Sequence, residues 1–524
     1  MKELVYPRVL LPALEEHADK VAFFDGPYEN TMAGHGDRVL RLADAMGREL
    51  GLEAGDRFAV MALNSHEFLE LYHAAFLGAG VVTPLNLRLA GVELQHIMRD
   101  SGAQVVFVDA MFAEHLVRAL EEVRDQLDLR HVVLIGDGNT EVPHDLTYEG
   151  LVAAGRPIVP PEPEETDPVV LMYTGGTTGL AKGVLLDQRA EMLNLYHAGL
   201  ALGLPAHGVY LHQTPMFHAA SMTGVLGIPA VGAVSVFMPM FNAGGALDLI
   251  EARTVTQTVM VPTMIRALLD HPDYRPERLA SLEVLTYGAS PMSEALLARL
   301  LGDAPWLQLS QGYGMTESSA VLTVLTDEDH RRGVDIRRSA GRAVMGVRLS
   351  IQDPDGRVLP TGGTGEVCAQ GGNLMREYWN NPEATAEAFR DGWYHTGDEG
   401  RLDAAGYLYL VDRVKDMIVT GGENVYSIEV ENALASHPSV DEVAVIGIPD
   451  EAWGEAVHAI VVLRAGASVT AEGLRDWART QVAGFKVPKT IELRTDPLPL
   501  SGALKPLKRL LRAPYWAGHE RAVH

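Results

Sequence analysis

The chain has 524 residues and a mass of 56.8 kDa, which at roughly 150 residues per domain corresponds to about three folding units with enough apolar content for a core of their own. Its 43 Lys and Arg stand against 69 Asp and Glu, a net charge of −26, which excludes a general nucleic-acid binder and argues against docking on an anionic membrane surface. With 47% hydrophobic and 21% charged residues the chain is globular, and its single cysteine, Cys368, rules out an intramolecular disulfide and any multi-cysteine metal or cluster site.

In chain order, the first twenty residues meet Glu15 and Glu16 before any unbroken apolar run, so they do not read as a signal peptide. With one cysteine, a reducing, cytoplasmic setting is expected. Short apolar, β-branched runs then predict strands at Phe58–Leu63, Gln104–Val108, His131–Ile135, Val169–Tyr173, Ala233–Phe237, Thr258–Val261 and Leu282–Tyr287. Helical periodicity predicts helices over Arg38–Leu50, Glu67–Leu77 and Glu294–Leu301. Strand alternating with helix implies an α/β protein with largely parallel sheets.

Residues 192–247 hold no Asp, Glu, Lys or Arg. Ala219–Phe241 is long enough to span a bilayer, but Gly224, Gly227, Pro229, Gly232 and Pro239 interrupt it. A buried core around a ligand tunnel is the expected reading, and no integral membrane segment. From Gly341 the texture changes to short strands between Gly- and Pro-rich turns, a β-rich layer with the makings of a barrel. A compact βα pattern resumes after Asp412 and ends in a basic cluster, Lys505, Lys508, Arg509 and Arg512.

The sharpest local signal is Tyr173–Val184, YTGGTTGLAKGV, after the apolar strand PVVLM. Glycines let backbone N–H groups converge, three threonine hydroxyls donate, and Lys182 supplies a point charge, which suits a loop around a polyphosphate. It is not a Walker A loop, because Ala181 and Gly183 flank the lysine. The chain also lacks a GxGxxG, which removes the main support for a dinucleotide-binding dehydrogenase.

YTGGTTGLAKGV resembles the phosphate loop of the adenylate-forming superfamily, which includes acyl- and aryl-acid:CoA ligases, peptide-synthetase adenylation domains and luciferases. Further segments resemble that family in the same order: PMFH at 215–218, YGAS at 287–290, QGYGMTE at 311–317, YHTGD at 394–398, DRVKDMIVTGGENVYSIEVE at 412–431 and GALKPLKR at 502–509. The resemblance runs from about Gly55 to Arg512 and is strongest to acid:CoA ligases. It implies an α/β fold with a large N-terminal domain of Rossmann-like parallel sheets over 1–412, including a β-rich subdomain at about 341–412. A small mobile α+β C-terminal domain follows over 413–524, with a hinge at Lys415.

The implied reaction has two halves. A carboxylate attacks the α-phosphate of MgATP to give acyl-AMP and pyrophosphate, and the thiol of coenzyme A then displaces AMP. By the resemblance, Thr174, Thr177, Thr178 and Lys182 hold the β- and γ-phosphates. Tyr313 stacks on adenine opposite the Gly288–Ala289–Ser290 backbone, Thr316 donates to the α-phosphate, and Glu317 binds Mg²⁺. Asp398 and Arg413 reach the ribose, Gly421 and Gly422 face the pantetheine tunnel, and Lys505 is the catalytic lysine. His218, Ala220, Gly224 and Gly314 wall the acyl pocket, and the small Ser318, Ser319 and Ala320 leave it volume for a large or rigid acid. With no Lys or Arg in 192–247, the bound tail is expected to be apolar and uncharged.

Three positions depart from the family pattern: Gly175 replaces a hydroxyl residue, Ala181 a proline, and Leu504 a glycine. None removes a charge, so retuned rather than lost catalysis is expected. A carrier-protein phosphopantetheine as acceptor is the alternative to CoA. That carrier and a homodimer stay open as partners, and nucleic acid is not expected.

Overall fold

In a computed structural model, described for residues 2–136, 142–174, 181–203, 207–289, 292–413, 418–420, 423–425, 427–450, 453–482, 484–500 and 506–517, two mixed sheets carry the first of two compact units. That unit comprises residues 1–289, 303–348 and 370–394. Its eight-stranded sheet is centred on Arg57–Met61, with Val81–Pro84 and Val105–Asp109 parallel on either side. Its nine-stranded sheet is centred on Val209–His212, Gln257–Met260, Val284–Gly288 and Gln308–Tyr313, all parallel to their neighbours in that run.

The sequence explains these strands. Runs such as HVVLI at His131–Ile135 and the Val105–Val108 stretch have no polar face because helices cover both sides of a parallel sheet. The strand over His131–Ile135 falls where the apolar run predicts it, and the other six expected strands appear within about two residues at each end. Helices form at Met32–Arg48, His66–Ala74 and Glu294–Asp303. The first two are capped by Thr31 and Ser65, whose side chains accept from the backbone N–H of Gly34 and Phe68.

Within the uncharged stretch, Ala219–Phe241 folds as a 3₁₀ turn at Ala219–Ser221, a nine-residue helix, Met222–Ala230, and the strand Val234–Phe237. Among the described residues no helix is long and apolar enough to cross a membrane.

The second unit comprises residues 290–302, 349–369 and 395–524. It holds most of an open five-stranded sheet, in which Trp393–Leu402 pairs antiparallel with Leu408–Arg413. It also holds a sheet built on the long hairpin Val440–Asp450 and Gly454–Leu463, which the strand Thr490–Arg494 joins in parallel. Among the described residues the β-rich layer is thus an open sheet, not a barrel.

Candidate active site

The phosphate-loop motif sits on a hairpin. Strand Pro168–Thr174 runs antiparallel to Lys182–Asp187, and the last register pair before the loop is Thr174 with Lys182. The hairpin is anchored at its base. Tyr173 Oη donates to Asp100 Oδ2 at 2.6 Å, Trp379 Nε1 donates to Asp100 O at 2.9 Å, and His96 Nε2 lies 2.9 Å from Ala181 O. Residues 175–180, which include Gly175, Thr177 and Thr178, lie outside the described residues.

A two-residue strand, Glu377–Tyr378, pairs with Val184 and Leu185 on the outer side of that hairpin. This brings the Tyr378 ring under the Lys182 ammonium, whose Nζ lies 4.8 Å from the ring centroid. The Tyr378 hydroxyl donates to Glu317 Oε1 at 2.8 Å. Burial and then the Glu317 carboxylate push that hydroxyl well above the usual phenol range, so it stays a donor at any physiological pH. One aromatic residue therefore touches both the lysine of the phosphate loop and the acid of QGYGMTE.

QGYGMTE itself leaves the C-terminal end of strand Gln308–Tyr313, beside the end of strand Val284–Gly288. The carboxyl ends of parallel strands are where open α/β sheets bind ligands. Tyr313 ends its strand, and a short 3₁₀ turn at Thr316–Ser318 follows with Ser319 and Ala320 at φ of 54° and 109°. Non-glycine residues rarely adopt such φ values, and the turn is held from outside. Met375 N donates to Glu317 O at 2.7 Å, Asn373 Nδ2 donates to Ser318 O and Val321 O, and Ser319 Oγ donates to Asn373 O. Ala289 also has a positive φ, 67°, and Ser290 lies outside the described residues.

Two glycines here are required by space. A methyl group at Gly288 would sit 2.5 Å from Gly312 O, and one at Gly314 would sit 2.1 Å from Ala320 O. Gly312, by contrast, has open space where a methyl group would go. Gly314→Ala is therefore expected to lower stability by about 1–3 kcal/mol, the usual scale of overpacking, whereas Gly312→Ala should melt near wild type. Thermal melts of the two variants check this, and equal melting temperatures would remove the steric argument.

PMFH is held between the two sheets. Asn64, just after strand Arg57–Met61, directs its side-chain amide at His212 O, Thr214 O and Met238 O, and Met216 N donates to Asn64 Oδ1 at 2.8 Å. Tyr72 Oη donates to Met216 O at 2.7 Å. His218 and Ala220 are half-buried at the end of this loop. Gly224 lies inside the helix Met222–Ala230, where a methyl group would meet the Tyr210 ring at 2.7 Å.

In the second unit, Asp398 and Arg413 are register partners across the antiparallel pair Trp393–Leu402 and Leu408–Arg413. Asp398 is buried, its N–H donates to Thr396 Oγ1 at 3.1 Å, and Thr396 Oγ1 in turn donates to Val367 O. Lys415, Gly421, Gly422, Leu504 and Lys505 lie outside the described residues. Lys508 opens the helix Lys508–Trp516, and its ammonium donates to Ser427 Oγ at 2.6 Å and pairs with Glu431 Oε1 at 2.8 Å. Lys508 is thus tied to the helix Ser427–Ala435 rather than standing on an exposed face.

Sequence reasoning missed Tyr378, Asn373, Asn64 and Tyr72. No motif marks them. Their roles come from pairings across the fold, and the signal nearest to hand was the Tyr-Trp pair at 378–379 inside a polar segment.

The AMP-binding enzyme family model matches residues 12–379, and the AMP-binding enzyme C-terminal domain model matches 429–505. The chain belongs to the AMP-binding enzyme family. It is 38% identical over 476 residues to a feruloyl-CoA synthase of an Amycolatopsis species, an alignment covering 91% of this chain and 92% of the relative. It is 35% identical over 529 residues to the medium/long-chain-fatty-acid–CoA ligase FadD8 of Mycobacterium tuberculosis, covering 98% and 91%. Among solved structures, the anthranilate CoA ligase AuaEII in complex with anthranoyl-AMP superposes with a TM-score of 0.90 at 26% identity, covering 98% of each chain. This AMP-binding enzyme therefore has the fold of the adenylate-forming superfamily that its motifs imply.

Proposed function

We propose that this AMP-forming acid:CoA ligase holds ATP between the phosphate-loop hairpin and the QGYGMTE turn, and that each motif residue takes the role the family gives it. The observation that carries the reading is the Tyr378 contact, which joins Lys182 and Glu317, residues of two motifs far apart in sequence. Thr174, Thr177, Thr178 and Lys182 bind the β- and γ-phosphates. Tyr313 and the Gly288–Ala289–Ser290 backbone enclose adenine, and Asp398 with Arg413 takes the ribose. Thr316 donates to the α-phosphate.

Glu317 is the Mg²⁺ ligand. A single hard carboxylate oxygen fits a cation whose other positions go to phosphates and water. When bound, Mg²⁺ neutralises charge on the phosphate oxygens. Lys505 steadies the carboxylate against the α-phosphate during adenylation, and a hinge at Lys415 turns the C-terminal domain, residues 413–524, to bring Gly421 and Gly422 to the pantetheine. His218, Ala220, Gly224 and Gly314 line the acid pocket.

Acid-dependent exchange of pyrophosphate into ATP tests the first half-reaction over a panel of aryl and fatty acids. The expected result is Mg²⁺-dependent exchange with bulky acids and weak exchange with acetate. Absence of exchange with every acid would sink the proposal. Offering CoA and a holo-carrier protein to the preformed acyl-AMP then separates the two acceptors, with CoA expected to be used.

A further inference from the structure

The helix Gln188–Ala198 follows the phosphate-loop hairpin directly, and Asp187 Oδ1 caps it by accepting from Ala190 N at 2.8 Å. Glu191, Asn194 and His197 recur every three residues along it. Glu191 is 0% exposed, Asn194 1% and His197 6%. Both carboxyl oxygens of Glu191, both polar atoms of the Asn194 amide and His197 Nδ1 lack a hydrogen-bond partner among the described residues. Leaving one buried polar atom unpaired costs about 1–3 kcal/mol, so a cluster of them points to something that pairs with them.

The loops around this cluster include ones that the ligase reading assigns to the acid pocket. Burial, and then Glu191 once it ionises, raises the Tyr72 hydroxyl, which donates to Met216 O in PMFH, so Glu191 lies near that loop. At the other end, a methyl group at Gly346 would lie 3.2 Å from His197 Nε2. Gly346 belongs to the turn in which Val344 N donates to Leu322 O, just past Ser318–Ala320. Between them Leu193 packs against Gly372, next to the Asn373 that holds Ser318 O.

Burial, then the nearby Asp187, pushes the Glu191 carboxyl up to about 8, so it carries a proton at neutral pH. A protonated carboxyl and an amide each donate and accept, which matches a hydroxyl and not a hydrocarbon or an anion. The run 192–247 supplies no Lys or Arg for an anion either.

We propose that Glu191 and Asn194, with His197 beside them, form the inner, hydrogen-bonding end of the acid pocket, and that the preferred acid carries a neutral hydroxyl remote from its carboxylate. This rests on the ligase reading above and narrows its substrate class: the tail is uncharged but not wholly apolar.

The test uses matched acids, cinnamate with 4-hydroxycinnamate and dodecanoate with 12-hydroxydodecanoate, in pyrophosphate exchange by the full chain. Wild type is expected to favour the hydroxylated member of at least one pair by about 10- to 100-fold in kcat/KM, the scale of one or two lost buried hydrogen bonds. Asn194→Leu is expected to collapse that ratio at least about tenfold, through loss with the hydroxylated acid, and Glu191→Gln, which keeps donor and acceptor, to preserve it. Melting curves show that each variant is folded, and Glu191→Leu substitutes for Asn194→Leu if the latter is not. No preference in either pair, which would leave the cluster to bound water, overturns the inference, as does a ratio unmoved by the apolar variants. Absence of exchange with every acid overturns the ligase reading and this inference with it.

Discussion

Lys505→Ala should slow acyl-AMP formation by about 10²–10³ while conversion of supplied acyl-AMP and CoA stays within severalfold of wild type. The asymmetry follows from charge. In adenylation two anions, the carboxylate and the α-phosphate, must approach within bonding distance, and an ammonium beside them offsets repulsion that water no longer screens. In thioester formation AMP is the leaving group, and a turned C-terminal domain carries the lysine away. The comparison is Lys508→Ala. Its ammonium is held by Ser427 and Glu431, so this variant should loosen the C-terminal unit and lower its melting temperature without separating the two half-reactions. Separate assays of the two halves decide the matter, and equal losses in both for Lys505→Ala would end the hinge-and-lysine mechanism.

Glu317→Gln should slow acyl-AMP formation by about 10² and raise the Mg²⁺ concentration needed for half-maximal rate. The substitution is clean. The glutamine carbonyl oxygen can still accept from Tyr378, so the turn at Thr316–Ser318 keeps its outer support and only the charge is lost. Tyr378→Phe is the complement, since it keeps the carboxylate and the ring beneath Lys182 but removes the hydrogen bond between them. Its cost should be near the worth of one charge-assisted hydrogen bond, about tenfold, with the Mg²⁺ requirement little moved. An unaltered metal requirement in Glu317→Gln would remove Glu317 as the ligand.

The parallel sheets were legible because strands buried on both faces read as unbroken apolar runs, as His131–Ile135 shows. The nucleotide motifs were legible as motifs because each is a short local segment that resembles the family's; that Thr174 and Lys182 pair across a hairpin, and that Asp398 is the register partner of Arg413, came only with the structure. Tyr378 was not legible, since a two-residue strand carries no periodicity and its partners lie 61 residues away and farther. At Gly224 the sequence shows that volume is missing but not which neighbour lies against it, and here a neighbour is Tyr210. The burial of Glu191 and Asn194 was not legible either, because burial by residues distant in sequence leaves no trace in local pattern.

The crowding at Gly288 and Gly314 bears on how such an enzyme can be re-engineered. When a new side chain collides with another side chain, trimming the second can restore the fit, so a two-step mutational route exists. Here the obstacles are main-chain carbonyls, Gly312 O and Ala320 O, and no substitution shortens a carbonyl. Neither position can leave glycine without the backbone itself moving, whatever compensating change accompanies it. Libraries that seek new acid selectivity should therefore hold 288 and 314 constant. Ala220, half-buried in the turn Ala219–Ser221, is the position to vary in their place.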